Sequence, residues 1–357
     1  DNFINDYNID DNLIYCPKKF VSEPEPEPEP VPEPVPEPEE MYIITGRVID
    51  GFISNTNGKL IDCNNDNVIH EFTTDQYGKY YIALPFIVIP DKYKIECTGG
   101  IDISTNTEFQ GKLSNISTNS NIILDNKAVL NITPITTLVT LVTEQSENND
   151  IDTAKTSVAT SFNLNQNDIN KNFIDEEIED ISNVVNAIGA INDIFSVSIN
   201  NVNRDNIMTS IANTINISEP TLLDFGGDTS IGSDFQNIVS DIKTLEGVTV
   251  NDITITNLVN FTSDIIYTIY NTPSILDSFK IKESASNVLS DYDINDENFN
   301  SSSAVTAAIN AKDSIEIFTF YTPPEPEPVP EPVPEGTIMP EPEPVPEPIP
   351  EPVPEPA

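Results

Sequence analysis

Oxygen-bearing side chains at alternate positions are the most chemical-looking feature of this 357-residue chain. Asp62, Asn64 and Asp66 alternate in the run IDCNNDN, and Glu71 and Asp75 follow shortly after. A hard cation such as Ca²⁺ takes about six to eight oxygen ligands, so acids and amides spaced two apart on a turning loop make a partial shell. Asp62, Asn64, Asp66, Glu71 and Asp75 are therefore the candidate metal ligands. The run departs from an EF-hand loop, because its sixth position is Asn67 instead of Gly and its twelfth is Thr73 instead of Glu. A solvated turn is the competing reading. In a chain with 29 Asp and 41 Asn, D-x-[DN]-x-[DN] also recurs at Asp6 and Asp291.

Other reactive residues are sparse. His70 is the only histidine and has no second His or Cys at ligand spacing, which argues against a zinc site or His-based catalysis. Cys63 and Cys97 would pair only if the fold brought their Cα atoms within about 7 Å, leaving Cys16 over. There is no Trp to build a stacking platform for carbohydrate cleavage. The five N-x-[ST] sequons, at Asn115, Asn131, Asn216, Asn260 and Asn300, are no more than this composition generates. No catalytic or cofactor-binding residues are assigned, and the chain reads as non-enzymatic.

Two different kinds of element must carry these residues. Residues 41–132 hold short β-branched and aromatic runs, including VIHEFTT at 68–74, KYYIAL at 79–84 and YKIEC at 93–97, broken by Asn, Asp, Gly and Pro. Asp75-Gln-Tyr-Gly78 between two of them reads as a hairpin turn with Gly at the positive-φ position. From Thr133 the period lengthens. Thr133-Pro134 is an N-cap followed by Pro at the first helical position, and Ile135, Leu138, Val139 and Val142 share a face. Further stripes run from Asp175-Glu-Glu through Ile191, from Phe235 to Ile242, and from Ile255 to Ile269. Ser314–Tyr321 reads as a terminal strand.

Residues 23–40 and 323–357 place Pro at nearly every second position with Glu or a small aliphatic residue between. Alternating Pro fixes φ and removes amide donors, so polyproline II is the expected state, at ~3.1 Å per residue roughly 55 and 110 Å long. Neither run contains Lys or Arg, and the whole chain carries −43. Such acidity argues against nucleic acid, which demands clustered cations. No apolar stretch approaches the ~18 residues of a membrane span, so no membrane insertion is expected.

The segments GRVIDGFISN, KLIDCNNDNVIHEFTTDQYGKYYIAL and TGGIDISTNTEFQGKL, with NITPITTLVTLV at 131–142 after them, resemble the carboxypeptidase-regulatory-like, prealbumin-type β-sandwich modules of multidomain surface proteins. In those modules a TPxTTLV-type element follows the sandwich, and a D-x-N-x-[DN]-G loop is frequent. Here Asn67 replaces that glycine.

The expectation is an α+β chain: a small antiparallel β-sandwich followed by an α-helical bundle, flanked by extended Pro-Glu linkers. Residues 1–22 would end an upstream segment, 23–40 form a linker, 41–132 the sandwich, 133–322 the helical domain with its terminal strand, and 323–357 the second linker. The role expected is a structural or adhesive module of a long extracellular protein of a cell surface or virion fibre. Its partners would be other modules of the chain or assembly, and surface glycans. The alternative is a β-sandwich module that binds carbohydrate or Ca²⁺.

Overall fold

A computed structural model describes residues 41–122, 126–227, 230–245 and 247–317. Both Pro-Glu runs, Cys16, the first segment and residues 318–321 of the expected terminal strand lie outside them. Residues 312–314 form a 3₁₀ turn, and 315–317 have no regular structure. Among the described residues the chain is mixed α and β, with strands leading and helices following.

Alternation builds the strands. β1 (Met41–Arg47), β5 (Lys79–Pro85) and β10 (Lys127–Val129) form one sheet, with β1 central, antiparallel to β5 and parallel to β10. A second, antiparallel sheet has the order β4 (Val68–Thr73), β3 (Asn57–Asp62), β6 (Lys92–Thr98), β9 (Lys112–Thr118). Alternate residues Tyr42, Ile44, Tyr80 and Ile82 from the first sheet and Leu60, Tyr93, Ile95 and Cys97 from the second enter one apolar core. Two-residue strands β2 (Ile53–Ser54), β7 (Ile101–Asp102) and β8 (Thr107–Glu108) make a small third sheet.

The Asp75 turn differs from the expected hairpin. Asp75 Oδ1 accepts the amides of Tyr77 and Lys79, and Gly78 takes φ +71°. Yet β4 and β5 belong to different sheets. Buried Thr74 marks the divergence: its amide donates to Thr56 O, just before β3, and its hydroxyl to Ile53 O of β2, so the chain is tied beside the β2–β3 segment before the turn carries it into the first sheet.

Eight helices follow among the described residues: α1 (Pro134–Gln145), α2 (Ile151–Ser161), α3 (Glu179–Ser198), α4 (Arg204–Thr214), α5 (Ser233–Thr244), α6 (Asp252–Tyr270), α7 (Ile275–Leu289) and α8 (Ser301–Ala311). A two-residue pair, β11 (Gly226–Gly227) and β12 (Ser230–Ile231), precedes α5. α3 is the central helix, touching α1, α4, α6 and α7. It begins at Glu179 and not at Asp175, because Glu177 adopts φ +50° and breaks the helical run.

The TPITT segment joins strands to helices. Thr133 and Thr136 form a reciprocal capping box, with Pro134 in the first turn. β9 is an edge strand, and α1 covers that edge chemically. Ser114 N donates to Thr137 Oγ1 at 2.9 Å, while Thr136 Oγ1 donates to Ser114 O at 2.8 Å. Two hydroxyls thus stand in for a neighbouring strand. The helical core also takes in Ile49, Phe52 and Ile116 from the strand region, and all the described residues belong to one compact unit.

Candidate functional site

The expected metal ligands do not converge. Asp62, Asn64 and Asp66 sit in the β3–β4 turn, where Asp62 Oδ1 accepts Asn64 N and Nδ2 and its Oδ2 accepts Asn65 Nδ2. Asp66 closes that turn with φ +58°. Glu71 lies on β4 opposite Lys59, 3.8 Å from its ammonium. Asp75 belongs to the turn at the other end of β4, about 17 Å of strand away at ~3.3 Å per residue. Among the described residues no three or more His, Cys, Asp or Glu side chains are grouped to hold a metal. His70 is half-buried on β4 opposite Leu60.

Cys63 and Cys97 are free thiols. Cys97 pairs with Gly58 in the β3–β6 register, whereas Cys63 follows Asp62, the partner of Tyr93. Five residues of strand, roughly 16 Å, separate them, well beyond disulfide reach. Burial pushes the Cys63 thiol up to about 11 and the Cys97 thiol higher still. Two sequon residues are structural: Asn115 and Asn131 are buried, with Asn115 Nδ2 donating to Asn131 O and Asn131 Nδ2 to Asn170 O.

The concentrated chemistry lies elsewhere, in a cleft of about 580 Å³ between the β7–β8 region and helices α3, α4 and α7. At its base Arg204 Nη2 is 2.8 Å from Asp50 Oδ2 and 3.7 Å from Asp193 Oδ1. Asp193 Oδ2 is in turn 3.7 Å from Lys282 Nζ, which also pairs with Glu283. Burial alone would lower the Lys282 pKa, but Glu283, Asp193, Asp50 and Asp102 surround it and raise it, keeping the ammonium charged. Arg204 also packs over the Phe109 ring, 5.1 Å from its centroid.

Local sequence makes this base possible. Gly51 adopts φ +87°, and a Cβ there would stand 2.3 Å from Asp102 Oδ1, so only glycine admits that carboxylate. Gly189 gives α3 a bare patch on which the Lys282 stem lies; a Cβ would stand 2.8 Å from Lys282 Cδ. Asp102 accepts Ser104 N at 2.8 Å. Desolvation pushes its carboxyl up to about 7, against the opposing pull of Lys282 and the Ser104 amide. The cleft therefore holds one carboxyl that exchanges a proton near neutral pH within an otherwise paired network.

None of these residues is among the candidate ligands at Asp62, Asn64, Asp66, Glu71 and Asp75. One signal was present: Lys282 falls on the apolar face of α7 with Phe279, Ala285 and Leu289. A second was that Arg47 and Arg204 are the only arginines in the chain. Arg47 makes the companion contact, its Nη1 3.0 Å from Asp175 Oδ2 as an ion pair without an aligned hydrogen bond, and its guanidinium over Phe52. Each arginine crosses between the strand region and the helical region, in opposite directions.

The chain matches no family model, and neither curated proteins nor solved structures show a match to it. No helix among the described residues is long and apolar enough to cross a membrane.

Proposed function

We propose that this chain is a non-enzymatic structural or adhesive module of a long extracellular protein, a small β-sandwich continued by a helical bundle and suspended between acidic Pro-Glu spacers. The double arginine clamp carries this reading. Arg47 on the first strand reaches Asp175 of the helical part, and Arg204 of the helical part reaches Asp50 among the strands. Force entering at β1 would thereby pass to the helices through one partly exposed pair, Arg47–Asp175, and one buried pair, Asp50–Arg204. The core shared by two sheets supports the sandwich, and the α3-centred packing supports the bundle. Glu–Glu repulsion along runs lacking any cation would keep the spacers extended. Such a module would contact neighbouring modules and surface glycans at a cell or virion surface. Small-angle scattering of the whole chain tests the layout: a compact body with two thin extensions is expected, and a profile without extensions would overturn it.

A further inference from the structure

A second concavity, about 530 Å³, lies on the far side of α3 from the charged cleft's lysine, among the end of α2, the start of α3, the end of α6 and the loop 222–226. Its volume is within the roughly 300–1,000 Å³ of small-ligand sites. Three features distinguish it from an ordinary surface dent.

The first is an aromatic wall. Tyr267 and Tyr270, three residues apart on the last turn of α6, keep 43 % and 41 % of their surface exposed, and Leu222 opposite keeps 63 %. Rings three apart on a helix share one face and offer adjacent apolar surfaces. The second is a fixed floor. Phe225 stacks on Phe162 at 6.1 Å and packs against Phe235 at 6.3 Å, while Asp224 accepts Ser233 N and Gly226 N. Leu223 N donates to Ser161 O, and Ser263 Oγ donates to Phe225 O, so the loop is tied to α2 and α6. The third is unmet polarity. Ser161 and Asn183 line this groove and are buried, yet Ser161 Oγ and Asn183 Oδ1 have no hydrogen-bond partner among the described residues. Both atoms lie beneath the groove's lining, where a polar atom left without a partner is costly to the fold.

An occupant would therefore present an apolar face to two tyrosine rings and hydroxyl or ammonium donors to the carboxylates that line the groove, Glu179, Asp180 and Asp224. Sugar rings carry C–H bonds on their faces and hydroxyls on their edges. The rim adds a sign: Glu179, Asp180 and Asp224 line it without a basic residue, which disfavours anionic ligands. The same charge argues against the chain's own Pro-Glu runs as occupant.

We infer that the groove bounded by Tyr267, Tyr270, Leu222, Ser161 and Asn183 binds a neutral or amine-bearing saccharide. This deepens the adhesive reading by giving it a contact site, and it can fail while the clamped-module layout stands.

Saturation-transfer NMR on the whole chain tests it with lactose, mannobiose, chitobiose, glucosamine dimer and sialyllactose, alongside a synthetic peptide of residues 323–357. At least one neutral or amine-bearing disaccharide is expected to receive saturation on its ring C–H protons, with sialyllactose and the peptide silent. Tyr267→Ala and Tyr270→Ala should each weaken that binding at least tenfold with unchanged melting, whereas Tyr267→Phe, which keeps the ring, should stay within threefold of wild type. Silence of every sugar at 10 mM, binding that survives both alanine variants, or preferential binding of sialyllactose or the peptide would overturn the assignment. Scattering extensions intact beside a sugar-silent groove would remove this inference alone.

Discussion

Arg204 Nη2 lies 2.8 Å from Asp50 Oδ2 although 154 residues separate the two in sequence. Asp50 follows β1 in the strand region and Arg204 opens α4, so this one contact closes the chain's first part onto its second. Both side chains are withdrawn from water, Asp50 to 4 % exposure. Breaking such a pair from one side strands a buried charge, and that dictates the first expectation.

Arg204→Met should destabilise the chain by about 3–5 kcal/mol, since buried Asp50 loses its ion-pair partner while Asp193 keeps only Lys282. Adding Asp50→Asn should restore part of the loss, because the stranded charge is then gone. Urea denaturation of the two variants checks this; equal losses in the single and double variants would contradict it.

Asp102 sets a pH dependence opposite to that of most carboxylates. Its folded pKa, about 7, stands above the ordinary 3.8, so between those values the folded chain holds a proton that the unfolded chain releases. Stability contributed by the neutral carboxyl is present below about pH 4 and lost as pH rises through 7. Asp102→Asn cannot ionise. Its stability minus that of wild type should grow by up to roughly 4 kcal/mol from pH 4 to pH 8. A difference that stays flat across that range would refute the role given to burial.

Thr137→Val should cost about 1–3 kcal/mol by leaving Ser114 N unpaired at the covered edge of β9. Thr137→Ser, which keeps the hydroxyl, should cost less than half as much. Thermal melting of the pair separates the hydrogen bond from the lost methyl; identical melting would remove Thr137 from the account.

The Asp62 turn is held by its own amides, so EDTA or millimolar Ca²⁺ should leave the melting temperature within 1 °C. A clear upward shift with Ca²⁺ that Asp62→Ala abolishes would restore the metal reading.

Much of this architecture is legible residue by residue. Tyr42 and Ile44, or Tyr93, Ile95 and Cys97, alternate because a pleated strand alternates, and the stripe from Ile255 to Ile269 repeats because a helix turns every 3.6 residues. Thr133-Pro134 marks a helix start through chemistry confined to four residues. Legibility fails where partners are remote. Asp75 specifies a turn, but the flanks join different sheets through remote partners, β4 through β3 and β5 through β1, with Thr74 tied to Thr56 and Ile53 between them. Asp175 looks like a helix-start acid, but Glu177 at φ +50° separates it from the helix, and it pairs instead with the distant Arg47. The Asp50–Arg204–Asp193–Lys282 network assembles from four segments, and only the lysine's place on an apolar face and the scarcity of arginine point to it.

Single-molecule stretching of the chain held by its two ends tests the clamped unit most directly. If the arginine pairs and the shared core join strands to helices, residues 41–317 should open in one event, adding on the order of 900 Å of contour at ~3.5 Å per residue. Two separate events, near 300 Å for the strand region and 600 Å for the helices, would contradict the account.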